Sequence, residues 1–174
     1  MTAAHRMTFD PIRRAAVLWE RTWGPTAAPG EMATATSVMR VQQLLLAHFD
    51  AMLAEFDLTF ARFEALVLLT FSREGSLPMS IVGERLMVHP TSATSLVRRL
   101  EDQGYVTREA NPRDGRGRLA SITPAGRAVV ETATTRLAEA GFGVSSLTET
   151  ERTELIRLLS KVRVAHGDAP DAGT

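Results

Sequence analysis

Apolar residues recur at intervals of three and four along most of the chain, the spacing of helices that bury one face. The first such window is about 10–23, where Ile12, Ala15, Ala16, Trp19 and Trp23 mark one side. Asp10 suits an N-cap, and Pro11 suits the first helical position, where a missing N–H leaves no bond unmade. Gly24-Pro25 ends this helix, and 24–31, rich in Pro, Gly and Ala, reads as a linker. A long helix is expected at 32–56, with Val38, Val41, Leu45, His48, Met52 and Phe56 turned inward. A third, at 60–73, carries Phe60, Phe63, Leu66, Val67 and Phe71. Two shorter helices follow at 80–87 and 90–103. In the second, Ala93, Leu96, Val97 and Leu100 form the buried stripe, His89 is the cap and Pro90 the first helical residue.

From Tyr105 to Ile122 the helical spacing lapses. Asn111-Pro112 and Asp114-Gly115 are turn signals, so this stretch reads as a β-hairpin with a long tip. Helical spacing then returns. Thr123 caps a helix at 124–140, and Thr148 with Glu151 forms a capping box for a last helix at 149–165, striped by Leu155, Leu158, Leu159 and Val162. From His166 onward the residues are polar and small, as expected of a frayed end. The predicted fold class is mainly α with a small β-hairpin. A helix, a tight turn, a second helix and a basic hairpin make the plan of a winged helix-turn-helix, flanked by helices that form a dimerisation region. Three regions follow: 1–57 with the first helix and a dimerisation helix, 58–123 as the DNA-binding domain, and 124–174 with the C-terminal dimerisation helices and tail.

The polar side of the 90–103 helix carries the candidate chemistry. Pro90, Thr91, Ser92 and Ser95 put small groups near the helix start, where hydroxyls can enter a major groove and bond base edges. Arg98 and Arg99 follow where phosphates would lie. Taken alone, this is also how a solvated face looks. The hairpin adds Arg108, Arg113, Arg116 and Arg118; guanidinium groups on a narrow tip suit the minor groove, and Asp114 is placed to brace Arg116.

Composition changes this picture little. The chain has 174 residues, 44% hydrophobic and 23% charged, enough for one globular domain with a core. Net charge is zero, yet seven arginines against four acids between Arg98 and Arg127 leave a local +3. All basic residues but Lys161 are arginine. The absence of cysteine excludes disulfides, thiolate metal sites and thiol redox sensing. His5, His48, His89 and His166 are scattered without metal-ligand spacing, and Gly115 and Gly117 sit in a hairpin rather than a phosphate loop. No enzyme and no cofactor are therefore expected. No apolar run approaches the roughly 20 residues needed to span a bilayer, and no signal-peptide core is present, so no membrane association and a cytoplasmic location are the default.

Several segments, in order and spacing, resemble the MarR family of bacterial regulators: Leu58-Thr59 opening a helix, Glu84 to Leu86, Leu96 to Glu101, Gly104 to Val106, Asn111 to Arg116 and Thr123 to Arg127. The resemblance covers about 32–165. It implies a homodimer whose terminal helices interlock and whose two recognition helices meet a pseudo-palindromic operator in double-stranded DNA. The start of the first helix, from Asp10 to Gly24, resembles the branch with an extra N-terminal helix, which includes regulators answering urate and small carboxylates. There the resemblance places a small anionic or aromatic effector against Trp19, Glu64 and Arg108. The urate pattern has aspartate where Glu64 stands and arginine where Ser95 stands. Read from the residues alone, Trp19 is more often a core or interface anchor, Glu64 a solvent-facing acid and His48 a satisfied core histidine. The combined expectation is a homodimeric, sequence-specific DNA-binding regulator, a repressor released by a small molecule. The alternative is a winged domain used for protein docking without specific DNA binding.

Overall fold

Asp10 accepts hydrogen bonds through Oδ1 from the backbone N–H of Ile12 (2.9 Å) and Arg13 (3.1 Å), and so starts helix α1, Pro11–Trp23. The structure, a computed structural model, describes residues 8–111 and 117–169. It divides into two compact units, 1–51 and 52–174.

In the first unit, α1 ends at Gly24, whose φ of 82° is open to glycine, with its N–H on the Glu20 carbonyl at 2.8 Å. A short turn, Pro25–Ala27, leads into α2, Pro29–Leu53. The expected linker is thus shorter than 24–31, because Pro29 serves as a first helical residue rather than as a loop breaker. The Trp19 indole Nε1–H donates to the Ala27 carbonyl (2.7 Å), and its ring meets Trp23 edge-on at 4.4 Å. The turn after α1 is therefore pinned to the helix by an aromatic anchor.

The inward face expected of the long helix is a correction. Val38, Val41 and His48 are exposed, Leu45 and Met52 half-buried, while the buried positions are Phe49 and Leu53. The physical reason lies in the sequence of α2, which also carries Met39, Leu44 and Leu46. Apolar residues lie on several sides, so periodicity could not choose between stripes one residue, about 100°, apart.

In the second unit, the Thr59 hydroxyl accepts from the Arg62 N–H and caps α3, Phe60–Phe71. Phe63, Ala65, Leu66 and Leu69 are its buried face, whereas Phe71 at its end is 81% exposed. A three-residue strand β1, Ser76–Pro78, follows, which the sequence pattern did not reveal. Then come α4, Met79–Arg85, and α5, Pro90–Asp102. The hairpin strands are β2, Val106–Ala110, and β3, Arg118–Ile122. All pairing is antiparallel in the order β1-β3-β2, with Leu77 opposite Ala120 and Arg108 opposite Ala120 on the other side. The predicted hairpin is thus two strands of a three-stranded sheet.

Helix α6, Pro124–Glu139, is capped by Thr123, whose hydroxyl accepts from the Gly126 N–H at 3.0 Å. A Cβ at Gly126 would stand 2.2 Å from the Tyr105 carbonyl oxygen, so glycine lets the helix start lie against the hairpin. Val130, Ala133 and Leu137 are buried on α6, which packs on α3. A turn at Gly141–Gly143 leads to α7, Glu149–Ala165, opened by the expected Thr148–Glu151 capping box. Among the described residues none of α7 is buried: Ile156 is 64% and Leu158 46% exposed.

Candidate nucleic-acid interface

Helix α5 is built to present one polar side. Its N-cap is His89, whose Nδ1 accepts from the Thr91 N–H at 3.3 Å, and Pro90 takes the first helical position. Ala93, Val97 and Leu100 are fully buried and Leu96 half-buried, which fixes the rotation of the helix. The opposite side, Thr91, Ser92, Ser95, Arg98 and Arg99, is exposed as a consequence. Ala93 also stands close to α4, where a Cβ at Gly83 would come within 3.5 Å of its own. The turn between the two helices is closed by Val88 N–H on the Gly83 carbonyl (3.1 Å), with Met87 at φ 53°.

Two contacts that sequence reasoning missed hold the far end of α5. Gln103 donates through Nε2 to the Asp57 carbonyl (2.7 Å) and carboxylate (3.0 Å), and accepts at Oε1 from Arg62 (3.1 Å). Glu101 pairs with Arg108 of β2, which donates through Nε at 2.6 Å. That hydrogen bond, with the charge beside it, lowers the Glu101 pKa below the usual carboxylate value. Neither contact has a periodic signature, since each joins a helix end to another element. Only the opposite charges of Glu101 and Arg108 were a signal.

Arg118 is exposed at the start of β3. With Arg108 it borders a polar hollow of about 340 Å³ that also takes in Ser80, Thr94 and Asn111. Arg113 and Arg116, with Asp114, lie outside the described residues. The arrangement thus places hydroxyls and two arginines on one helix and further arginines on the adjoining hairpin. This is a donor-rich surface suited to phosphates and base edges.

The residues named for an effector are distributed as follows. Trp19 belongs to the first unit, with its indole N–H on Ala27. Arg108 is 20% exposed and held by Glu101. Glu64 lines a different cavity from Arg108, an apolar groove of about 750 Å³ between α3, the end of α4, α6 and the Gly141–Gly143 turn. Partial burial there raises the Glu64 pKa, although much of the residue is still solvent-exposed. Among the described residues, no cluster of three or more His, Cys, Asp or Glu could hold a metal, and no helix is long and apolar enough to cross a membrane.

Residues 56–117, from before α3 into the hairpin, match the MarR family model. The chain is 31% identical over 125 residues to the HTH-type transcriptional repressor Rv2887 of Mycobacterium tuberculosis, covering 71% of this chain and 88% of the relative. The chain belongs to the MarR family of transcriptional regulators. Among solved MarR family structures, Sco5413 of Streptomyces coelicolor is 51% identical, with a TM-score of 0.76 over 82% of this chain and 99% of that one. Sco3205 of the same organism, solved in complex with DNA, is 25% identical, with a TM-score of 0.73 over 80% and 89%. Two curated relatives are matched over only 46% and 58% of their length. The mainly helical fold with its small winged sheet is the one these MarR structures share.

Proposed function

We propose that this MarR family member is a homodimeric repressor that reads a pseudo-palindromic operator and is released by a small molecule. The observation that carries the proposal is α5: a buried Ala93-Val97-Leu100 stripe holds Thr91, Ser92, Ser95, Arg98 and Arg99 outward beside an arginine-bearing hairpin. A similar regulator solved with DNA and a relative described as a repressor support the reading. Pro90 starts the reading helix, and its neighbours at positions 91, 92 and 95 choose bases. Arg98, Arg99 and Arg118, with Arg113 and Arg116 by sequence alone, supply phosphate and minor-groove contacts.

The dimer is supported by apolar side chains left in solvent: Leu155, Ile156, Leu158 and Val162 on α7, and Val38, Val41 and Leu44 on α2. Patches of this kind mark association surfaces. For the effector, the groove beside Glu64 has the volume of a ligand site, within the range of about 300–1,000 Å³, and touches the end of α4 through Arg85 and the following Leu86. A molecule seated there would bear on the helix-turn-helix itself.

The test is selection of bound fragments from random duplexes, followed by titration of the winner with and without candidate metabolites. A specific site bound about 10³-fold or more over random sequence is expected. Equal affinity for selected and random duplexes would reject operator recognition and leave a protein-docking role.

A further inference from the structure

We infer that the groove between α3, α4 and α6 takes a protonated aromatic amine rather than an organic anion. The inference rests on the effector reading for its regulatory meaning, but the choice of ligand class stands on the groove's own chemistry. Its walls are aromatic and aliphatic, with Phe60, Phe63, Phe71 and Phe142 supplying four ring surfaces. Such walls accept a flat apolar body, and their ring faces attract a cation and repel an anion.

The polar rim is rich in acceptors. Thr70, Thr134 and Thr135 line the groove, but each hydroxyl donates its hydrogen to its own helix: to the Leu66 carbonyl (2.9 Å), the Val130 carbonyl (2.7 Å) and the Glu131 carbonyl (3.1 Å). What each turns to a ligand is a lone pair. Glu64 and Glu131 add two carboxylates. Arg85 is the one charged donor in the lining, and among the described residues it forms no ion pair with either acid. The charged groups facing the groove therefore sum to one negative charge, beside hydroxyls whose hydrogens are already engaged within their own helices. An ammonium finds partners at several points, whereas a carboxylate finds only Arg85 and meets two like charges.

Glu64 adds a linkage argument. Its carboxyl is partly desolvated by burial, which disfavours the charged form. A cation seated beside it would reverse that penalty, so amine affinity should fall as pH drops and Glu64 takes up a proton.

The test titrates the full chain by calorimetry with three probes sharing one ring system: 1-naphthylmethylammonium, neutral 1-naphthalenemethanol and 1-naphthylacetate. The ammonium should bind about tenfold or more tighter than the alcohol, the ratio expected of one charge-assisted hydrogen bond, and the acetate weaker than both. Glu64→Gln, an exposed and nearly isosteric change, should remove most of the ammonium's advantage and flatten its pH dependence on the acid side of neutrality. Arg85→Ala should strengthen ammonium binding. The acetate binding as tightly as the ammonium, no probe binding at all, or an ammonium preference untouched in Glu64→Gln would each overturn the inference. Operator affinity is read separately by anisotropy. Selective ammonium binding that leaves operator affinity unchanged would remove the effector reading while the ligand class stands.

Discussion

Ser95 sits one turn into α5 on the exposed side, four residues from Arg99 and two from buried Val97. A hydroxyl there has a short reach and would meet a base edge only if the helix lay deep in the groove, whereas an arginine side chain is long enough for a phosphate. Ser95→Ala is expected to change base preference at one position of the selected site, by about 1 kcal/mol or more for a direct contact. Binding to duplexes substituted one pair at a time measures this. Arg116→Ala should instead weaken all related sites alike and lower the salt slope by up to about one unit. An unchanged slope would take Arg116 out of the mechanism. Glu101 acts differently, through Arg108. Its pKa is lowered in the fold, chiefly by the Arg108 hydrogen bond, so its stabilising effect is present above its unfolded pKa and is lost as pH falls through the folded value. Glu101→Gln should therefore lower the melting temperature near neutral pH, and the gap to the parent should close in acid. A gap that persists at low pH would assign the effect to packing instead of charge.

At the scale of elements, the winged domain depends on close approaches more than on any one bond. Gly126 lies in the first turn of α6, where alanine would ordinarily gain about 1 kcal/mol of helix propensity. Here the added Cβ would meet the Tyr105 carbonyl oxygen at 2.2 Å and Ile122 at 2.9 Å, and the first of these is backbone. Gly126→Ala should thus destabilise by about 1–3 kcal/mol, read as a lower urea midpoint at an unchanged slope. A neutral or stabilising result would mean that α6 shifts freely against the hairpin. The same locality explains what the sequence disclosed. Asp10, His89, Thr123 and Thr148 were legible as caps because capping is a matter of three or four residues. The stripe of α5 was legible because its other side is so polar. Strand β1 was not, since three residues ending in Pro78 carry no period and exist as a strand only through β3. The buried side of α2 was hidden by apolar residues on several of its sides. The groove beside Glu64 joins positions from three helices far apart in sequence, and its acceptor character depends on which way three threonines bond. No spacing rule reports either property.

For the molecule as a whole, the proposed dimer has to bring two copies of α5 to act together. A single α5 offers a handful of contacts, and a pseudo-palindrome gains its affinity from two of them held at a fixed separation. The chain leaves Leu155, Ile156, Leu158 and Val162 in solvent on α7, more apolar side chain than a polar-faced surface helix ordinarily shows. Leu158→Glu tests whether a second copy covers them. Leu158 is 46% exposed in the single chain, so the substitution should alter the stability of an isolated subunit by no more than about 0.5 kcal/mol. In a dimer the same side chain would be a charge placed in an apolar interface, costing several times as much. Sedimentation at micromolar concentration should then show the parent as a dimer and the variant as a folded monomer, with far-ultraviolet dichroism unchanged. The variant should lose most of its affinity for the two-half-site operator yet keep what remains for an isolated half-site. A parent that sediments as a monomer would end the dimer proposal. A variant that stays dimeric with full operator affinity would move the interface away from this face of α7.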